Sequence, residues 1–391
     1  MTGRVMIVTP NLDVGGAQET VVNLARQFPS QGWPAIVLSF EDGPLREDLE
    51  HAGIDVELLQ PRRHSVTALP AFLAEMSRYR SMLRHVIDDR AITTVITQGL
   101  GTLDFLFLTL GGTSTQLWWT IQNARFMVRA EHVPNAPWLL KPKRQVHRWL
   151  YRWGSGKVDG VVAVSDETAE AFLEEVKCAP EQVSVVYNAV DTDRLPAPPP
   201  VFSVRDELGL DRDAHVMTMV GTFKRQKGHE YLIMAAAKVR PRFPGLHVLL
   251  VGDGERRAEM TELAEELGLA GHLHFLGTRR DVPDILAVSD SFILPSLWEG
   301  LSLALMEAMA SGLPVIATEV SGSRVAVVDG ITGLLAQPGD ADGLAQAIER
   351  MLTDTEGAKS MGRAGRARIE DSFSAAAQAR HLVELFEGRS R

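Results

Sequence analysis

Two glutamates, Glu299 and Glu307, frame the stretch of this chain best suited to chemistry. They lie in PSLWEGLSLALMEAMASGLPVIAT, residues 295–318. Residues 302–311 are rich in Ala, Leu, Met and Glu, and Gly312 followed by Pro314 stops such a run in the usual C-terminal way. The spacing predicts a helix with Glu299 at its entrance and Glu307 about two turns inside, roughly 12 Å apart along the axis. Between them the unpaired N–H groups that begin the helix, with Gly300, Leu301 and Ser302, form a seat for an anion.

A carboxylate accepts paired hydrogen bonds from vicinal hydroxyls, so each end of this ruler suits a sugar ring. A nucleoside diphosphate sugar has the matching order: ribose diol, diphosphate, transferred sugar. An ordinary core helix with a solvated glutamate on each side explains the same residues equally well. A glycosidase-like pair fits less, because a retaining pair needs carboxyls only about 5–5.5 Å apart.

Two further loops place open backbone at a helix start. After the first strand pattern, residues 9–18 include Gly15 and Gly16, which allow close approach of a ligand to the chain, although a plain β–α turn needs them too. In the second half, residues 221–228 read GTFKRQKG. There Lys227 and Gly228 put a mobile cation beside a helix N-terminus, a combination suited to phosphate or simply to a solvated loop.

These loops need a scaffold, and the patterning supplies one. Strand patterns fall at 5–9, 35–40, 55–59, 94–97, 116–121, 160–164 and 183–187, with helical periods such as 18–28, 68–88 and 167–176 between them. After residues 196–200, PAPPP, which read as a stiff connection, the alternation restarts with strands at 215–220, 247–251, 272–276, 291–294, 314–318 and 333–335. Strands alternating with helices predict parallel, doubly wound α/β sheets, and such sheets bind ligands beyond the carboxyl ends of their strands. At 391 residues two domains are expected, 1–192 and 201–370, with 371–391 a closing helix.

Composition narrows the class. Apolar residues make up 45% and charged residues 23%, as in ordinary globular proteins. The single cysteine, Cys178, excludes an intrachain disulfide and a cysteine-cluster metal site, and fits a reducing compartment. The opening MTGRVMIVTP runs straight into a strand pattern and no apolar run reaches about 18 residues, so neither a signal peptide nor a membrane span is expected. A net charge of −10 argues against general nucleic-acid binding.

One region departs from that average. Residues 125–157 carry Arg125, Arg129, Lys141, Lys143, Arg144, Arg148, Arg152 and Lys157 against the single acid Glu131, interleaved with Trp138, Trp149, Tyr151 and Trp153. Basic heads beside aromatic anchors suit a membrane surface or an anionic, lipid-linked acceptor. A partly buried helix whose tryptophans pack on their own domain accounts for the same composition.

The 295–318 stretch resembles the signature of the retaining glycosyltransferases of family 4, in which two glutamates separated by seven residues sit within P-S-x-x-E-G-L-S-L-x-x-x-E-A-M-A-x-G-x-P-V-I-A-T. The resemblance implies a GT-B fold: two facing Rossmann-like domains with parallel sheets and a cleft between them. It implies transfer of a sugar from a nucleotide sugar to a sugar, lipid-linked or other hydroxyl acceptor, with anomeric configuration retained, in building a glycan, glycolipid or polysaccharide. By the same resemblance Glu299 hydrogen-bonds the donor sugar and Glu307 holds the ribose, while Lys227 neutralises the leaving diphosphate. Gly16 and Gly15 match the family's G-G-A-E/Q loop, which contacts donor diphosphate or acceptor. No metal and no cofactor is implied beyond the donor, whose base, uridine or guanosine, stays open. A cytoplasmic enzyme is expected, with peripheral contact at the inner membrane face through 125–157.

Several positions depart from the family pattern. Thr222 stands where the family has a cationic arginine, and Lys224 or Arg225 is a candidate to replace its charge. Gln122, in Trp119-Thr-Ile-Gln-Asn123, stands where many members carry histidine, and glutamine cannot take a proton. Residues 321–325, SGSRV, replace Gly-Gly-x-x-Glu. These departures keep two other readings open: an isomerase or hydrolase of nucleotide sugars on the same scaffold, and a non-catalytic sugar-nucleotide-binding protein.

Overall fold

The computed structural model of the chain describes residues 3–13, 16–59, 69–98, 114–122, 140–195 and 203–388. They form two compact units, one of Met1–Asn188 with Ala375–Arg391 and the other of Ala189–Ser374. The first unit therefore ends at 188 rather than 192, and the chain rejoins it at 375 rather than 371. The proline-rich residues 196–200 lie outside the described residues.

Among the described residues the first unit holds seven parallel strands: β1 (Val5–Thr9), β2 (Ala35–Ser39), β3 (Asp55–Leu58), β4 (Thr94–Gln98), β5 (Gln116–Ile121), β6 (Gly160–Ala163) and β7 (Val183–Val185). Their order is β3-β2-β1-β4-β5-β6-β7. Helices α1 (Gly16–Gln27), α2 (Leu45–His51), α3 (Leu69–Asp89), α4 (Leu140–Ser155) and α5 (Asp166–Val176) connect them. β1, β2 and β4 are buried along their whole length, as strands covered on both faces must be, whereas the edge strands β3 and β7 are half-exposed. Alternation then sends neighbouring tryptophans to opposite faces: Trp118 into the cluster with Phe28 and Trp33, Trp119 into the one with Tyr151 and Phe172.

The second unit holds β8 (His215–Val220), β9 (Leu246–Val251), β10 (Leu273–Gly277), β11 (Ser291–Leu294), β12 (Val315–Thr318) and β13 (Leu334–Ala336), in the order β10-β9-β8-β11-β12-β13. Its helices are α6 (Val204–Glu207), α7 (His229–Val239), α8 (Arg257–Glu266), α9 (Val282–Ala287), α10 (Leu303–Ala310), α11 (Ser321–Ala326), α12 (Ala341–Thr353) and α13 (Thr355–Ser372). This is the 3-2-1-4-5-6 order of a doubly wound sheet, with its switch point between β8 and β11. Asp340 caps α12 through Asp342 N and Gly343 N, and Asp329 accepts from Leu335 N, so the acids of this region serve turns.

The last helix, α14 (Ala375–Gly388), belongs to the first unit. Its Phe386 is fully buried, with ring centroids 5.2 Å from Trp118, 5.6 Å from Trp33 and 6.2 Å from Phe28. The Phe386 carbonyl accepts from Gln116 Nε2 at 2.9 Å. Phe386→Ala should lower the stability of the first unit by about 3–5 kcal/mol, read as a shifted urea midpoint.

In the second unit His229 stacks on Phe223 at 4.1 Å, and burial, then Lys227 and Arg256, push its pKa down to about 4. His274 is pushed down to about 4 by burial and by His247 and His272. Both lie below the ordinary unfolded value of about 6.5, so between these limits the unfolded chain binds more protons and stability is lost as the pH is lowered. Melting of the second unit should drop on going from pH 7 to 5, by about 1–2 kcal/mol per histidine, and His274→Gln should flatten that slope.

Candidate active site

The two loops that end β8 and β11 meet at the switch point of the second unit, where a doubly wound sheet opens a crevice. From the β8 loop, Lys227 Nζ pairs with Glu299 Oε2 from the β11 loop, and their side chains are only 16% and 13% exposed. Ser296 Oγ donates to the same carboxylate oxygen at 3.1 Å. Gln226 Nε2 donates to Glu299 Oε1 at 3.3 Å and to the Trp298 carbonyl at 3.0 Å, while Leu297 N donates to the Gln226 carbonyl at 2.8 Å. Glu299 is thus held by three side chains, one of them the cation predicted for this site.

Backbone packing makes that meeting possible. Gly228 has φ +65°, and a Cβ there would lie 2.1 Å from the Pro295 carbonyl oxygen, so the two loops touch through a position that only glycine fills. On the other side Gly322, at the start of α11, donates N–H to the Glu299 carbonyl at 3.3 Å, and Ser321 Oγ donates to it at 3.2 Å. A Cβ on Gly322 would fall 1.7 Å from the Gly300 carbonyl oxygen. The departure from Gly-Gly is therefore tolerated at its first position, where a serine hydroxyl holds the loop, and not at its second.

The expected ruler needs correction. α10 begins at Leu303, so Glu299, Gly300, Leu301 and Ser302 form an irregular loop rather than the first helical turn. The contacts from Gln226, Ser296 and α11 hold this loop in a path that a helix could not follow. Glu307 lies little more than one turn into α10, about 6 Å along its axis, and is half-buried. Ser302 precedes the helix with no side-chain cap, which leaves the first-turn N–H groups uncapped. Gly300 is exposed, and Leu301 and Ser302 are buried.

Thr222, Lys224 and Arg225 are exposed, and Lys224 N donates to the Thr222 carbonyl at 2.7 Å. Asp253, in the turn after β9, pairs with Arg257 at 2.9 Å and accepts from Gly254 N, which holds its carboxyl below the usual range. Among the described residues no three acidic, histidine or cysteine side chains are grouped to hold a metal. In the first unit Gly16 opens α1, and Gly15 lies outside the described residues. Gln122, just past β5, donates to Gln98 at the end of β4 and accepts from Asn188 Nδ2 at 3.3 Å. Among the described residues, Gln98 Nε2 and Asn188 Oδ1, at the two ends of this amide row, are buried without a partner.

Nothing in the sequence marks Gln226 and Ser296 for this site, and Ser321 and Gly322 show there only as part of a departure from the family pattern. Gln226 stands among cations that drew attention to themselves, and Ser296 reads as a turn residue; only the strand order that abuts the two loops brings them onto one carboxylate.

The sequence matches two family models, "Glycosyltransferase Family 4" over residues 14–194 and "Glycosyl transferases group 1" over residues 202–368. It is 30% identical over 250 residues to the UDP-Gal:α-D-GlcNAc-diphosphoundecaprenol α-1,3-galactosyltransferase of Escherichia coli, covering 63% of this chain and 64% of that protein. Against this and two other curated relatives the chain spans 54–64% of the relative's length. A GDP-mannose-dependent α-(1-6)-phosphatidylinositol monomannoside mannosyltransferase of Mycolicibacterium smegmatis is 31% identical over 278 residues, 68% of this chain and 71% of its own. Among solved structures, Anabaena HepE in complex with UDP and glucose aligns with a TM-score of 0.81 at 21% identity, covering 99% of this chain and 100% of that one.

Gly322→Ala should push the 299–302 loop aside and destabilise the second unit by about 1–3 kcal/mol. Faster amide hydrogen exchange at 299–305 would report the displacement, and Ser321→Ala should produce a smaller change.

Proposed function

We propose that this chain, which belongs to the family 4 glycosyltransferases and shares their GT-B fold, moves a sugar from a nucleoside diphosphate sugar to an acceptor hydroxyl with anomeric configuration retained. The observation that carries the reading is the Lys227–Glu299 pair at the switch point of the second unit. A diphosphate brought there offers Lys227 a second anionic partner. The uncapped N–H groups that begin α10 add dipoles aimed at the same charge. Glu299 then turns its carboxylate to the hydroxyls of the transferred sugar, and Glu307 takes the ribose diol.

In the reaction the bond from the anomeric carbon to the diphosphate oxygen breaks, and the acceptor oxygen bonds to that carbon on the same face. The acceptor proton passes to the departing phosphate, so no protein base is required and Gln122 need not replace a histidine chemically. It sits instead in a hydrogen-bonded row with Gln98 and Asn188. Lys227 carries the leaving-group charge in this reading, with Lys224 or Arg225 supplying the charge absent at Thr222. Gly16 and Gly15 approach the donor diphosphate or the acceptor. The reaction runs without metal or cofactor, so activity should persist in excess EDTA.

The relatives named for a lipid diphosphate and for phosphatidylinositol acceptors support a lipid-linked or glycan acceptor here, reached from the cytoplasm by peripheral membrane contact through 125–157. No described helix is long and apolar enough to cross a membrane. The relatives' donors carry uridine in one name and guanosine in the other, so both bases belong in the screen.

A thermal-shift panel of UDP- and GDP-sugars should single out one donor, since a ligand at 100 times its Kd stabilises by about 2.7 kcal/mol. Glu307→Ala should abolish the shift. Lys227→Ala should cut kcat by roughly 10²–10³-fold, the usual cost of losing one charge-stabilising group. Proton NMR of the product should show the donor's anomeric configuration. Release of free sugar with every acceptor would favour a hydrolase, and donor binding with no turnover would favour a binding protein.

A further inference from the structure

We propose that His247 and His274 form a binding site for a divalent transition cation of the zinc type, held by two imidazole nitrogens at the outer edge of the second sheet. β10 is the edge strand and runs parallel to β9, with His274 beside Leu249. Alternation therefore sets His247, His272 and His274 on one face. All three are half-buried, so the rings are packed yet still meet water.

The separation of the rings carries the proposal. His247 Nδ1 and His274 Nε2 are 3.1 Å apart. Two nitrogens each about 2.0–2.1 Å from one zinc ion stand roughly 2.8–3.4 Å apart, across the range from right-angled to tetrahedral coordination. The pair thus has the spacing of two ligands on one ion, and small turns about the soft χ2 torsions would aim both lone pairs at it. Without a cation one ring donates its N–H to the other. A cation takes both lone pairs, and the bridging proton moves through solvent to the other nitrogen of its own ring, so no net proton is released.

His272 is a wall to this site. Its Nδ1 donates to the Leu246 carbonyl at 3.3 Å, and its ring lies against that of His247, with centroids 5.2 Å and planes 25° apart. Among the described residues no three ligands are grouped, so water fills the remaining coordination positions.

Donor chemistry selects the ion. Neutral imidazole suits zinc, copper and nickel, whereas magnesium and calcium take oxygen. Burial, then the neighbouring imidazoles, hold His247 and His274 below the ordinary histidine range, so both are neutral at pH 7. Asp211 favours a positive charge at His247, and Arg205 opposes it more weakly. Val251 ends β9 four residues after His247, about 13 Å along the strand, so the pair lies at the end opposite to the loops that carry Lys227 and Glu299. A cation there clamps the edge strand to β9 and takes no part in sugar transfer.

The test is isothermal titration of the untagged full chain, stripped with EDTA and moved to chelator-free buffer at pH 7, with ZnCl2 and separately with MgCl2. The tightest zinc site should hold one ion per chain, magnesium should not bind there, and zinc should raise the melting temperature. His247→Gln and His274→Gln should each weaken zinc binding by more than about tenfold, and His272→Gln by less. Long-range proton–nitrogen NMR of the unaltered chain reads the ligands directly, even where a variant folds poorly: zinc should shift His247 Nδ1 and His274 Nε2. No zinc uptake would overturn the proposal. So would uptake that both ligand variants retain, or zinc shifts confined to other histidines, the mark of an adventitious ion only. Transfer activity is not read, so this site and the sugar-transfer reading can fail separately.

Discussion

An ammonium and a carboxylate withdrawn from most of their water attract strongly, yet each loses hydration on the way in, and the balance favours them only with further hydrogen bonds in place. Lys227 and Glu299 are such a pair, and the second unit is built to keep it. Ser296 and Gln226 supply the additional donors, Gly228 lets the two loops close to contact, and α11 fixes the carbonyl behind the carboxylate. Loosening any of these would leave a poorly hydrated charge with a partner at the wrong distance. The constraint runs from sequence to chemistry: residue size at two glycines decides whether opposite charges meet.

The sheet supplies the coarse positioning that these contacts refine. β8 and β11 are adjacent although two strands separate them along the chain, because the order reverses at that point. Helices leaving neighbouring strands at a reversal pass to opposite faces, so the loops at the carboxyl ends diverge and leave room between them. The first unit has the equivalent reversal between β1 and β4, with Gly16 beyond β1 and the Gln98–Gln122–Asn188 row along the ends of β4, β5 and β7. The same topology thus brings charge to one site and uncharged amides to the other.

Much of this was legible without coordinates, for a specific reason. Every strand of both sheets answers to a sequence pattern, and β1, β5, β8 and β11 have the expected ends, because strands buried on both faces must be almost wholly apolar between polar turns. The cation and the first glutamate were legible as residue types in loops. The loop between Glu299 and Leu303 was not, since Gly-Leu-Ser-Leu carries no signal against continuing the helix upstream. What holds it open is an amide from residue 226 and a helix end at 321–322, contacts whose partners lie more than 20 positions away. Local propensity cannot register such constraints, so the helical run at 302–311 was legible to within a residue, whereas the loop that separates Glu299 from it and the part played by Gln226 were not.

The departures from the family pattern bear on how evenly a site must be built. Losing arginine at Thr222 would matter most if leaving-group charge were met by side chains alone. The start of α10 offers backbone N–H groups that Ser302 does not cap, and their dipoles need no counterpart at position 222. Glutamine at position 122 likewise removes a titratable group but adds a link in a hydrogen-bonded amide row. Both replacements exchange an ionic contact for oriented neutral dipoles, which retain direction while avoiding the desolvation that a further buried charge would incur. A site organised in this way depends less on the number of its charges than on the rigidity of the loops that aim its dipoles, and in this chain that rigidity resides in Gln226, Gly228 and Gly322.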